Sequence, residues 1–228
     1  MKNPEDNASR HYDSLAATPN LVITIGRQFG SGGRELGKKI ADRLGIAYYD
    51  KELLNRAASG AGLSEKFVED NDERFPRFLS SVLSFSMGFS NISWYQSPTT
   101  ISGDSVYETQ SDVIRRLADE GNCVIVGRSA DYVLRELPHL VSIFVHAPME
   151  ACIDRIMRRS DITDRSKARQ LAERTNKLRA NYYNFYTDKK WGEARSYDLS
   201  FDTSLLSTDD IAELVAQYVA KRFPDLKM

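Results

Sequence analysis

The sequence has little sulfur, little histidine and no long apolar stretch. Two cysteines occur in 228 residues, Cys123 in an apolar strand-like run and Cys152 in a helix-like one. They form neither a CxxC pair nor a disulfide framework, which excludes a cystine-stabilised scaffold and predicts a reducing, cytoplasmic setting. Neither His139 nor His146 stands at metal-ligand spacing from a cysteine or a carboxylate pair, so no zinc site is expected. No run approaches membrane-spanning length, and residues 1–20 (MKNPEDNASRHYDSLAATPN) are polar, which predicts a disordered lead-in and not a secretory signal. Charge of one sign is also missing, since 31 basic against 32 acidic residues leave a net charge of -1. That balance excludes bulk attraction to nucleic acid or an anionic membrane, and any anion site has to be local.

What is present is an alternation of short apolar runs and amphipathic stretches. At 41% hydrophobic, the chain from 21 to 228 fits one globular domain. Strands are predicted at Leu21–Ile25, Ile46–Tyr49, Cys123–Val126, Val141–His146 and Leu199–Asp202. Each is a short, largely apolar run, as a strand buried on both faces requires. Leu36, Ile40 and Leu44 fall at helical spacing, and further helices are predicted at about 51–60, Val106–Glu120, Met149–Arg159, Lys167–Tyr186 and Thr208–Arg222. Five strands alternating with helices imply a three-layer α/β domain with a parallel sheet. The stretch from Leu63 to Ser105 mixes Phe75, Phe78, Phe85, Phe89 and Trp94 with many serines and fits no element clearly.

The most informative segment is Gly26–Gly37, GRQFGSGGRELG, which joins the first strand to the first helix. An ordinary βα turn needs one or two glycines, whereas Gly26, Gly30, Gly32 and Gly33 place four in eight residues. Glycine lets the backbone approach phosphate oxygens closely, and a helix N-terminus adds N–H groups and the positive end of its dipole. Two nucleotide patterns compete. A dinucleotide site wants G-x-G-x-x-G and an acid about twenty residues on; Asp50 fits the acid, but Glu35 stands where the third glycine belongs. The P-loop wants G-x-x-x-x-G-K-[ST]; Gly32 fits the second glycine, but Arg27 stands at the first and Gly33 at the lysine.

Arginines downstream separate the two. Phosphoryl transfer needs charge clamps on phosphate oxygens, and the planar, always charged guanidinium suits that role. Arg128 follows an apolar strand directly, at the sheet edge where ligands of open α/β folds bind. Arg56 lies shortly after Asp50. Arg155, Arg158, Arg159, Arg165, Arg169, Arg174, Lys177 and Arg179 form a basic helical stretch dense enough for a lid, although pairing with Asp154, Asp161, Asp164 and Glu173 on solvated faces is the better explanation of any single one of them. Tyr182, Tyr183, Phe185, Tyr186 and Trp191 read as helix-to-core packing.

These residues resemble the cytidylate kinase-like family, in particular those members whose loop reads GRQ-x-GSGGR, over nearly all of Leu21–Phe223. Asp50 and Arg56 match the D-x-G-x-x-Y-R of cytidylate kinases, Gly127-Arg128-Ser129 matches G-R-D without its aspartate, and Glu173–Asn181 resembles the arginine-rich lid motif, keeping Arg174 and Arg179. Asp202-Thr203-Ser204 resembles the late D-S-T near the donor purine. The resemblance implies a P-loop nucleoside monophosphate kinase fold with helical insertions, an acceptor-binding region at about 50–105 and a lid at about 155–190. It also implies ATP and Mg²⁺ as cofactors, small nucleotides as the partners, and no protein-built metal site.

By that likeness the donor phosphates would meet Arg27, Gly30, Ser31, Gly32, Gly33, Arg34 and Glu35. The acceptor would meet Asp50, Arg56 and Arg128, and the lid would bring Arg155, Arg159, Arg174 and Arg179. Where the family's loop has lysine and a hydroxyl residue, this chain has Gly33 and, two positions on, Glu35. Arg34, with Arg27, is the expected replacement for the missing charge, so Arg34, Arg128, Arg174 and Arg179 are the expected catalytic residues. Expected activity is transfer of the ATP γ-phosphoryl group to CMP, dCMP or a related acceptor. A nucleotide-binding regulatory module without turnover is the alternative, and an NAD-dependent oxidoreductase a lesser one.

Overall fold

The structure is a computed structural model and describes residues 20–50 and 103–226. Strand β1 (Val22–Arg27) runs into helix α1 (Gly33–Leu44) and strand β2 (Ala47–Tyr49). Helix α2 (Gly103–Glu120), strand β3 (Cys123–Val126), the short helix α3 (Ala130–Val133) and strand β4 (Leu140–His146) follow. Helices α4 (Met149–Arg159) and α5 (Arg165–Tyr186), a 3₁₀ turn at Ala194–Ser196, strand β5 (Leu199–Asp202) and helix α6 (Thr208–Arg222) complete the chain. All strand pairs are parallel, in the order β2-β3-β1-β4-β5.

The five strands lie within two residues of their expected bounds. Helix α2 begins at Gly103 rather than Val106, and α5 at Arg165 rather than Lys167. The earlier start of α5 has a local cause, because the Asp164 carboxylate caps it by accepting from the N–H groups of Ser166 and Lys167 at 2.7 and 3.2 Å. The expected lead-in over 1–20, apart from Asn20, the helix at about 51–60 with Arg56, and the aromatic segment up to residue 102 lie outside the described residues.

Alternation along the strands builds three layers. Ile23 and Ile25 of β1 join Val124, Val126, Val141 and Ile143 against α1 and α6 on one face. Val22 joins Cys123 and Ile125 against α2 and α3 on the other. Fully burying each such side chain is worth about 1.5–3 kcal/mol relative to exposure. The order of strands also decides between the nucleotide patterns. In the dinucleotide fold β2 lies beside β1; here β3 stands between them, so the oxidoreductase expectation loses its structural basis. Among the described residues no helix is long and apolar enough to cross a membrane.

Candidate active site

The glycine loop sits at the carboxyl ends of β1 and β3, ahead of α1. Gly32 caps the helix at φ 86°, so the first-turn N–H groups of Gly33, Arg34 and Glu35 have no intrahelical acceptor and face the loop's end. Gly30 has φ +81°, and a Cβ there would lie 2.7 Å from the carbonyl oxygen of Cys152, so no other residue fits. Side chains from distant elements fix the loop's shape. The Thr203 hydroxyl donates to the Ser31 carbonyl at 2.6 Å, and the Ser31 hydroxyl donates to the Gln28 carbonyl at 2.9 Å. Asn176 of α5 accepts from the Phe29 N–H at 2.7 Å.

Three guanidinium groups converge beside this loop. Arg27 ends β1 and lies half-buried, with its pKa lowered to about 10, first by burial and then by the charge of Arg128. Arg128 follows β3, whose pairing with β1 continues one step further, the Gly127 N–H donating to the Ile25 carbonyl at 3.0 Å. Its own pKa is lowered by burial. Arg179 comes from α5, donates to the Arg27 carbonyl at 2.9 Å, and has its pKa pushed well down by burial and by Arg27. Like charges gathered in a half-buried place repel one another, and a multiply charged anion relieves that cost.

The turn that delivers Arg128 is strained. Gly127, Arg128 and Ser129 all have positive φ, 88°, 63° and 52°. Left-handed conformations at non-glycine residues cost about 1–3 kcal/mol each and collect at functional sites. Arg128 also donates to Gln110 of α2 at 3.2 Å, which orients its guanidinium.

The other candidates divide. Arg155 donates to the Gly30 carbonyl at 2.6 Å and so belongs to the loop. Arg34, 60% exposed, pairs with the buried Asp50 at 2.6 Å and bridges the first turn of α1 to the end of β2. Arg159 pairs with Glu35, whose other oxygen accepts from Thr208 at 3.0 Å, so both tie α1 to α4 and α6. Arg174 lies exposed on α5. Arg165 and Arg169 pair with Glu150 on the solvent side, the surface role that the charge pattern also allowed. Asn176, Gln110 and Thr203 enter as positioning groups that no charge pattern singled out, although Thr203 stood in the D-S-T resemblance.

A family model described as the cytidylate kinase-like family matches residues 22–205. The chain belongs to the cytidylate kinase-like family. Among its relatives, the cytidylate kinase of Pyrococcus horikoshii is 26% identical over 199 residues, covering 86% of each chain. That of Thermococcus sibiricus is 28% identical over 209 residues, covering 90% of this chain and 91% of the relative. The crystal structure of an uncharacterized protein from Eubacterium ventriosum superposes with a TM-score of 0.64 at 26% identity, over 88% of this chain and 98% of that one. A sugar kinase from a Janibacter species shares the fold alone, at a TM-score of 0.50 and 12% identity, over 88% and 95% of the two chains. Family membership supports a kinase-like function of the nucleotide or small-molecule kind.

Membership in the family implies a nucleotide and usually Mg²⁺. The described residues at the loop do not fit a protein-built Mg²⁺ site: where the P-loop pattern has its hydroxyl, position 34 carries a guanidinium, and Asp50 and Glu35 are each held by an arginine. Magnesium commonly keeps its waters and binds through substrate phosphates, and a nucleotide-borne ion needs no such site.

Proposed function

We propose that this protein transfers the γ-phosphoryl group of ATP to a nucleoside monophosphate, with CMP or dCMP as the acceptor. The observation that carries the reading is the convergence of Arg27, Arg128 and Arg179 at the open end of the glycine loop, on a chain of the cytidylate kinase-like family. The transferred group spreads its charge over three oxygens in the transition state, and catalysis is mostly positioning and charge stabilisation. Loop N–H groups hold the donor phosphates. The acceptor's phosphate oxygen attacks the γ-phosphorus as the bond to the β–γ bridging oxygen breaks, giving ADP and the nucleoside diphosphate. Residues 155–190 act as the lid, with Arg155 and Arg179 on its inner side, and Asp50 and Arg56 serve the acceptor. Magnesium travels with the ATP.

A specific observation favours a second reading, a nucleotide-binding regulatory module. Position 33 has no side chain, and the Phe29 N–H, the Gly30 carbonyl and the Arg27 carbonyl are already bonded to α4 and α5. Purified protein with ATP, Mg²⁺ and a panel of monophosphates, followed by chromatography of the products, separates the two. Formation of CDP or dCDP supports the kinase. Tight ATP binding in a calorimeter with no product on any acceptor supports the module.

A further inference from the structure

We propose that Arg27 takes over, from the end of β1, the role on the donor phosphates that the P-loop assigns to a lysine at position 33, and that side chains at the two positions exclude one another. This rests on the kinase reading above and adds which residue carries the charge.

The decisive geometry is at Gly33. A Cβ built there would lie 2.6 Å from the Arg27 Cβ and 3.0 Å from its Cγ. These are stem atoms next to the backbone, not the tip of a flexible side chain, so they cannot swing aside while Arg27 remains at the strand end. Gly33 itself has no left-handed backbone: it opens α1 and is not among the residues of positive φ. Conformation therefore does not require glycine at 33, and the volume occupied by Arg27 does.

The rest of the Arg27 side chain runs the same way. Its Nη1 lies 2.0 Å from where a Cβ of Gly127 would stand, so the guanidinium crosses from β1 to the end of β3, in front of α1. It ends beside Arg128, and no described residue hydrogen-bonds to it. Arg34, the more obvious replacement by sequence order, turns instead to Asp50 at 2.6 Å. Position 27 is also the first glycine of the P-loop pattern, so one exchange accounts for both departures: the charge moves from position 33 to 27, and the space moves from 27 to 33. A guanidinium adds a planar fork that can bind two phosphate oxygens, where a lysine is a point charge.

The test uses the full chain in four variants: Arg27→Met, Arg27→Gly, Gly33→Lys, and the double variant Arg27→Gly with Gly33→Lys. Arg27→Met keeps the stem and removes the charge; kcat/KM for ATP falls about 100-fold, the loss typical of one transition-state donor. Arg27→Gly falls equally, Gly33→Lys alone is also impaired by crowding, and the double variant regains about tenfold or more over Arg27→Gly. Thermal unfolding of each variant identifies any that is simply misfolded. The inference is overturned if folded Arg27→Met stays within about threefold of wild type, or if the folded double variant is no better than Arg27→Gly. Should the double variant not fold, Arg27→Met decides alone. If wild type transfers no phosphoryl group to any acceptor, the kinase reading fails separately, and ATP affinity by calorimetry across the same variants, expected in the same order, still decides the role of Arg27.

Discussion

The Tyr183 hydroxyl donates to a carboxylate oxygen of Asp131 over 2.6 Å, in a buried place, and so joins the end of α5 to the short helix that follows Arg128. Arg179 lies one turn before Tyr183 on α5, so the two arginines that reach Arg27 from different elements share this anchor. Burial pushes the Asp131 pKa up, and the bond from Tyr183 works against that rise. Removing the donor in Tyr183→Phe leaves a buried carboxylate short of a partner, which costs about 1–3 kcal/mol of stability at neutral pH. An acid whose folded pKa lies above its unfolded value weakens the fold at high pH and is relieved as pH falls through the folded pKa toward 3.8. The deficit of Tyr183→Phe against wild type therefore shrinks as urea titrations move to lower pH. A deficit that is constant with pH contradicts the assignment.

Strain at Arg128 gives a contrast between two substitutions. Its φ of 63° suits glycine and not alanine. Both Arg128→Gly and Arg128→Ala remove the guanidinium and lower transfer about 100-fold or more. Stability separates them: Arg128→Gly is the more stable, by about 1 kcal/mol, because alanine keeps the left-handed strain. Equal midpoints in denaturant mean that the turn relaxes when the side chain is gone.

Much of the fold was legible because each strand is an apolar run short enough for a parallel sheet. Cys123–Val126 and Leu199–Asp202 have the same bounds in sequence and structure. The Asp164 cap explains the earlier start of α5. Strand order was not legible, since nothing local in Ile46–Tyr49 states that it pairs with β3 and not with β1. The geometry of the candidate site was legible in part. Glycine spacing and an arginine after an apolar strand pointed to the loop and to Arg128. Arg27 passing over Gly33 is a matter of side-chain volume, which a motif does not record, and Asn176 reaches Phe29 across 147 residues. Tyr183 read correctly as packing, against Phe144 and Tyr197, but its hydroxyl bond to Asp131 leaves no periodic trace.

Asp198 provides an acid-sensitive fastening of the sheet. Its Oδ2 accepts from the Ser142 N–H at 2.8 Å and from the Ser142 hydroxyl at 2.9 Å, and Oδ1 pairs with Arg222 at 2.7 Å, joining β4, the start of β5 and the end of α6. Burial raises its pKa, but the bonds from Ser142 and Arg222 outweigh it and leave the value below 3.8. A depressed carboxylate stabilises above its unfolded pKa, and the gain is lost as pH falls through the folded value. Asp198→Ala should cost about 1–3 kcal/mol at pH 7, because the Ser142 N–H is left unsatisfied. The gap to wild type should close below pH 3.8. A gap that persists in acid would assign the loss to packing.

The arginines of α4 and α5 sort by where their side chains end. Arg165→Ala and Arg169→Ala remove exposed pairs with Glu150, and both variants keep wild-type transfer rates and nearly unchanged melting temperatures, increasingly so at high salt. Arg179→Met removes the charge next to Arg27 and lowers kcat by about 100-fold. Steady-state rates for the three variants decide the matter, and equal losses in all three mean that bulk positive charge, not position, is what counts.

Arg34 tests how the loop communicates with the acceptor. It is 60% exposed yet holds Asp50, which is 8% exposed, at 2.6 Å. If its task is to orient that carboxylate, Arg34→Ala raises the acceptor KM about tenfold with a smaller change in ATP affinity, since the lost interaction is binding of one substrate. If instead it stands on the donor phosphates, ATP affinity falls and the acceptor KM holds. Asp50→Asn adds the second half of a double-mutant cycle. Where the two side chains act as a unit, the double variant is no worse than either single one, because each substitution already removes the same contact. Additive losses assign Arg34 and Asp50 to separate substrates.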